Sequence, residues 1–406
     1  MLNELFNIQN RLASTVPLLF KRLLFSAINW NHRLIVITGG RGTGKTTLVL
    51  QYFRETYNDV TKCLYISADN PLVLKQGIYE TASEYFKYYG DCLIVDEVHK
   101  QQDWSVAIKA LYDAFPDKKI IVLGSSTLNI MFEKGDLSRR AVIYSLKPLS
   151  FREYLGLQFD AELPCLTFQE LITNHIAIAG EYSARFPSLL KIFRQFLTSG
   201  SFPFFQGLSE DEYLTTLTNI IDKVIYEDIT TIKSLKSFSS LKLKKLIAHI
   251  ATSKIPLFNI ESLKSEIGVS KDTLYEYFDL LERAEIVNIV RTESKNIRAM
   301  KNSKILFHSP NTYYSIASEL WKSDLKIGNI RESFFAGQVS EVYPVFTSKK
   351  LDFLVKCGKR WYEIEVGGKS KTRKQLKGVT DGCVFKDGIE IGFAETIPLY
   401  LAGFLY

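Results

Sequence analysis

Between Arg33 and Leu146 the chain sets short, continuous apolar runs against stretches of helical spacing. The runs are Leu34-Ile35-Val36-Ile37, Cys63-Leu64-Tyr65-Ile66, Cys92-Leu93-Ile94-Val95, Ile120-Ile121-Val122-Leu123 and Val142-Ile143-Tyr144. Apolar runs without polar alternation fit strands covered on both faces, and their alternation with helices predicts a parallel α/β sheet. Ahead of them, residues 1 to about 30 read as one or two amphipathic helices. Their apolar face is Leu18, Leu19, Phe20, Leu23, Leu24 and Phe25. Beyond Pro148 helical periodicity takes over, as in Leu217, Ile220, Ile221, Val224 and Ile225. A basic amphipathic helix (Leu241, Leu243, Leu246, Ile247, Ile250) then opens a helix, turn, helix and hairpin pattern, and the last stretch returns to mixed helix and strand. The pattern predicts sections 1–147, 148–235, 236–310 and 311–406, with boundaries soft by about ten residues.

Composition narrows the class. A chain of 406 residues with 46% hydrophobic and 23% charged residues is ordinary globular material, long enough for several cores. The net charge of +7 is modest for this length, compatible with nucleic acid as a partner without requiring it. Five scattered cysteines without a CxxC pair argue against a disulfide framework or a zinc site. No basic leader and no bilayer-length apolar run are present, so the expected location is the cytoplasm, with no membrane partner.

The chemistry concentrates at Gly39-Gly40-Arg41-Gly42-Thr43-Gly44-Lys45-Thr46-Thr47, which fits GxxxxGK[ST] between a predicted strand and a predicted helix. Glycines let such a loop turn its N–H groups onto phosphate oxygens, and the following helix N-terminus favours the same charge. Lys45 is expected to reach the β- and γ-phosphates of ATP, and the Thr46 hydroxyl to ligate Mg²⁺. About fifty residues later, Leu93-Ile94-Val95 ends in Asp96-Glu97. Asp96 is placed to hold Mg²⁺ and Glu97 to activate the attacking water, a pairing suited to hydrolysis. The run Ile120–Leu123 ends in Gly124-Ser125-Ser126, where a hydroxyl can sense the γ-phosphate or simply cap a helix. Arg139 and Arg140 precede the fifth run, as an arginine finger or a plain surface pair.

These residues resemble the bacterial and archaeal AAA-type ATPases whose C-terminal half is a domain of unknown function with winged-helix and endonuclease-like parts. The likeness rests on the loop 40–48 and on Val95-Asp96-Glu97-Val98-His99-Lys100 with Trp104. Gly124-Ser125-Ser126, Gly135-Asp136-Leu137-Ser138-Arg139-Arg140 and above all Pro148-Leu149-Ser150-Phe151-Arg152-Glu153-Tyr154-Leu155 also match. Further on, Gly200-Ser201-Phe202-Pro203 and Val224-Ile225-Tyr226-Glu227-Asp228-Ile229 are similar to its helical section. The resemblance implies a RecA-like sheet of order 5-1-4-3-2 and says little about biological role.

Downstream, residues 259–283 read as helix-turn-helix, with Gly268 at the turn and Ser270 as N-cap of the second helix. Strands near 286–290 and 304–307 would form a wing. Ser270, Lys271, Thr273 and Tyr275 then face a DNA major groove. Asp272, Glu276, Asp279 and Glu282 outweigh Lys271 and Arg283 on the second helix, which suits a protein partner better. The wing segment 291–304, with Arg291, Lys295, Arg298, Lys301 and Lys304 against Glu293, suits DNA. In the last section Glu332, Asp352, Glu363, Glu365 and Gln375 follow the order of the PD-(D/E)xK nuclease fold. Gly367 stands where that pattern has its lysine; Lys369 is the nearest substitute, and a degenerate core kept for recognition or assembly is the simpler reading. The expectation is an Mg²⁺-dependent ATPase coupling nucleotide state to a DNA-associated module. A switch acting on proteins and an ATP-gated nuclease are the alternatives, and an oligomer is compatible with all three.

Overall fold

Five strands form the first sheet: β1 (Leu34–Thr38), β2 (Cys63–Ser67), β3 (Cys92–Asp96), β4 (Lys119–Leu123) and β5 (Val142–Ser145). Each contains one of the apolar runs, and all pairings are parallel in the order β2-β3-β4-β1-β5. Read from the other edge, this is the expected 5-1-4-3-2. Strand β1 sits between β4 and β5 and is buried along its whole length, as its unbroken apolar run requires. The computed structural model describes residues 1–125, 136–232, 239–253, 260–293, 302–321 and 325–406, and it divides into two compact units, Met1–Lys147 and Pro148–Tyr406.

The N-terminal segment corrects the sequence reading. Two helices form, Leu2–Thr15, which buries Leu2, Leu5, Phe6, Gln9 and Ala13, and Leu23–Ala27, whose Leu24 and Phe25 pack on the core. Leu18 to Phe20 are not helical, and Leu19 is 88% exposed. Pro17 lacks an N–H and restricts the residue before it, which ends the helix there. The Gln51 side chain instead holds the carbonyls of Pro17 and Phe20 at 2.7 and 2.8 Å.

In Pro148–Tyr406, side chains from Leu149 to Leu405 share one hydrophobic cluster. Helices Phe151–Phe159, Phe168–Arg185 and Glu210–Lys223 each begin in a reciprocal capping box, Ser150/Glu153, Thr167/Glu170 and Ser209/Glu212. Buried Asn311 ties the segment 196–213 to helix Asn311–Glu319. Its Oδ1 accepts Ser201 N–H and Tyr213 O–H, while its Nδ2 donates to the carbonyls of Phe196 and Leu197. Helices Ile260–Ile267 and Lys271–Arg283 meet at Gly268, whose φ of +71° suits glycine. Strands β6 (Val287–Val290) and β7 (Lys304–Phe307) pair antiparallel after them. A second five-stranded sheet comprises β8 (Val345–Thr347), β9 (Phe353–Cys357), β10 (Arg360–Gly367), β11 (Gly382–Lys386) and β12 (Thr396–Pro398). It is mixed: β8-β9-β10 run antiparallel, and β10-β11-β12 parallel. Helix Ile327–Val339 packs on β10.

Candidate nucleotide site

Strand β1 delivers the chain into the glycine-rich loop, and helix Lys45–Thr56 leaves it, with Gly44 as N-cap at a φ of 96°. Gly39 has no room for a side chain, since a Cβ there would lie 2.2 Å from the Leu146 carbonyl oxygen. Lys45 is 7% exposed and donates to the carbonyls of Gly39 and Gly40 at 2.8 and 2.9 Å. Thr43 Oγ1 closes the turn on the Gly40 carbonyl at 2.9 Å. The two acceptors of Lys45 are neutral oxygens of its own loop, at the start of a helix whose first N–H groups favour an anion.

Pairing of β2 with β3 and β3 with β4 puts Asp96 at the strand end nearest this loop. Thr46 Oγ1 donates to Asp96 Oδ2 at 2.6 Å, so two residues fifty apart in sequence meet directly. Tyr65, from β2, donates its hydroxyl to the same Oδ2 at 2.9 Å, and the Glu97 N–H donates to Oδ1 at 2.8 Å. Burial, with the Asp96 carboxylate adding to it, pushes the Tyr65 phenol well above its ordinary range and keeps it a donor. A hydroxyl and a carboxylate so placed form an all-oxygen set, which fits a hard cation such as Mg²⁺. Glu97 adopts left-handed backbone, φ 46°, a conformation that costs a non-glycine residue roughly 1–3 kcal/mol. Its Oε2 lies 3.3 Å from Nε2 of His99, whose side chain is 6% exposed.

Two residues of this site escaped sequence reasoning. Tyr65 passed as one more apolar strand residue. Arg22 is 7% exposed, and its guanidinium donates to the carbonyls of Thr43 at 2.8 Å and Lys147 at 2.7 Å, bracing the loop from behind. The signal for Arg22 was a charged residue inside the apolar stretch from Leu18 to Phe25.

The remaining candidates are placed unevenly. Ser125 follows β4 and is buried; Ser126 lies outside the described residues. Arg140 grips Asp113 with two N–H groups at 3.1 and 3.2 Å, and Arg139 is exposed. On helix Lys271–Arg283, Lys271 is exposed, Thr273 Oγ1 is engaged with the capping Ser270, and Tyr275 is partly buried against the core. Of the basic wing, Lys295, Arg298 and Lys301 lie outside the described residues. The other two cations turn inward. Arg291 forks onto Glu282 at 2.6 and 2.5 Å, and Lys304 bridges Glu332 at 2.7 Å and Asp352 at 2.9 Å.

Lys304 therefore belongs to the carboxylate cluster of the second sheet. There Asp352 Oδ2 accepts the Val366 N–H, and Glu365 accepts Lys371. Lys371, not Lys369, lies beside Gly367: a Cβ at Gly367 would lie 2.2 Å from Lys371 Cγ, while Lys369 lies against Gly388. Glu363 is taken up by Ser348, and Gln375 lies in the short 3-10 helix Arg373–Leu376, its Oε1 accepting the Thr372 N–H. Among the described residues, no group of three His, Cys, Asp or Glu side chains is placed to hold a metal ion.

A parallel sheet of this order, with a glycine-rich loop after β1 and an acidic tip on β3, is the arrangement of an AAA-type P-loop domain. Residues 31–155 match the family described as AAA domain, and residues 190–313 match a domain of unknown function (DUF8612). The chain is 28% identical over 291 residues to uncharacterized protein MJ1637 of Methanocaldococcus jannaschii, a match covering 69% of this chain and 61% of that protein. Among solved structures, AMPPCP-bound DnaA from Aquifex aeolicus is 16% identical, with a TM-score of 0.28 over 70% of this chain and 89% of its own. The Aeropyrum pernix ORC1 protein in complex with DNA is 12% identical, with a TM-score of 0.32 over 77% and 91%. Likenesses at these scores decide neither fold nor function. No helix among the described residues is long and apolar enough to cross a membrane.

Proposed function

We propose that the chain is an Mg²⁺-dependent ATPase whose nucleotide state acts on the Pro148–Tyr406 unit. The observation that carries this reading is the 2.6 Å contact between Thr46 Oγ1 and Asp96 Oδ2, with Glu97 next in sequence. Thr46 and Asp96 would hold Mg²⁺, which neutralises charge on the β- and γ-phosphate oxygens when bound. Lys45 exchanges its two loop carbonyls for phosphate, the loop N–H groups orient the triphosphate, and Glu97 accepts the proton of the attacking water. Lys45→Ala is expected to abolish nucleotide binding. Glu97→Gln is expected to keep binding and lower turnover by about 10²–10⁴-fold; undiminished turnover in that variant sinks the hydrolytic assignment.

For the target we propose double-stranded DNA, met by the two helices joined at Gly268 and the β6–β7 hairpin acting as a winged helix. A protein partner is the second reading, favoured by the inward ion pairs of Arg291 and Lys304. The DNA reading expects ATPase stimulation by duplex that falls steeply between two salt concentrations. A rate indifferent to DNA at both concentrations selects the protein partner. The cluster around Glu332, Asp352 and Glu365 is proposed to serve recognition or assembly, its carboxylates being bonded to Lys304 and Lys371. Mg²⁺-dependent nicking of DNA that is lost in Asp352→Ala overturns that assignment.

A further inference from the structure

Asp96 is fixed more completely than the two nucleotide motifs require. An ionised carboxylate offers about four lone-pair positions, and Thr46, Tyr65 and the Glu97 N–H already use three of them. Thr46 is the residue whose hydroxyl oxygen turns to a metal. The side chain left to hold Asp96 in one orientation is then Tyr65. Its own position is pinned from both sides. Ile94 of β3 is its register partner, and the Tyr65 N–H donates to Oε1 of fully buried Gln9 at 2.6 Å. The ring is 6% exposed, so its hydroxyl has little water to turn to in place of Asp96.

We infer that Tyr65 is a positioning residue for Mg²⁺, setting the Asp96 carboxylate before the ion arrives. The inference rests on the reading of Thr46 and Asp96 as the metal-holding pair. Groups that orient a metal-holding side chain typically change metal affinity by about 10–100-fold when removed. A phenylalanine at this position keeps the ring and deletes only the hydroxyl.

The test is binding, not turnover, on the full chain. The affinity of a fluorescent ADP analogue is measured in EDTA and across a Mg²⁺ titration, for wild type, Tyr65→Phe and Thr46→Ala. In Tyr65→Phe the Mg²⁺ concentration giving half of the metal-dependent gain is expected to rise about tenfold, against an EDTA affinity close to wild type. An equal loss with and without metal marks Tyr65 as structural and overturns the assignment. An unshifted Mg²⁺ titration in Tyr65→Phe, with the gain lost in Thr46→Ala, also overturns it while leaving the metal pair standing. Retention of the whole gain in Thr46→Ala removes the metal pair itself, and Tyr65's role with it.

Discussion

Lys45 and Lys304 are both largely buried lysines closed on oxygen atoms, yet the oxygens differ. Lys45 lies on two neutral carbonyls of its own loop. Lys304 lies between two carboxylates on a helix and beside a strand, with the Phe353 ring 4.7 Å away. A carbonyl orients an ammonium without cancelling its charge. A carboxylate cancels it. Burial opposes the Lys304 charge, but Glu332 and Asp352 outweigh that and hold its pKa above the ordinary lysine value of 10.5. The same residue type thus closes on loop carbonyls in one unit and on carboxylates in the other.

The comparison breaks most readily on paired lysine-to-methionine variants. Lys45→Met is expected to lose nucleotide binding, because the loop loses the cation that would face the phosphates. Lys304→Met leaves two carboxylates facing each other without their cation. Removing one member of a buried pair costs about 3–5 kcal/mol, and with side-chain exposures of 14%, 17% and 21% the lower end applies. For a unit of this size about 3 kcal/mol corresponds to roughly 6–12 °C in melting temperature. Calorimetry on that variant checks this. A Lys304→Met protein that melts with the wild type shows that the cluster is not sealed by charge.

Alkaline titration sharpens the same point. A lysine whose folded pKa is raised contributes stability that is fully present below its unfolded value and is lost as pH rises through the folded one. The melting difference between wild type and Lys304→Met should therefore hold steady from neutral pH toward 10.5 and shrink only above it. A difference that fades well below that value contradicts the raised pKa.

The two sites also differ in how far the sequence betrays them. The nucleotide loop is contiguous, and its pattern fixes Gly39, Gly44, Lys45 and Thr46 within eight consecutive positions, so it reads directly. The Asp96 end of β3 reads almost as well, because an acidic tip on an unbroken apolar run is a local contrast. Tyr65 and Arg22 do not read, since each acts on a partner more than twenty residues away through geometry that only the folded sheet supplies. The carboxylate cluster reads in part. Period-two spacing along a strand places Glu363 and Glu365 on one face, but does not show their separate partners Ser348 and Lys371. The basic wing reads in part for a related reason: a charge count over 291–304 treats Arg291 and Lys304 as solvent-facing cations, and both are paired with acids of neighbouring elements.

The smallest effect tests the replacement of one lysine by another across a turn. Lys371 reaches Glu365 with its methylene stem lying where a side chain at position 367 would go. Gly367→Ala must push that stem aside, and an added methyl in an occupied space costs about 1 kcal/mol at the low end of overpacking. Lys371→Ala clears the space, so in that background Gly367→Ala should cost close to nothing. The double-mutant cycle then yields a coupling near about 1 kcal/mol, well above the few tenths expected of independent sites. Chemical denaturation of the four proteins measures it. Strict additivity means that the stem of Lys371 does not fill the Gly367 space, and the sealed site would then depend on Lys304 alone.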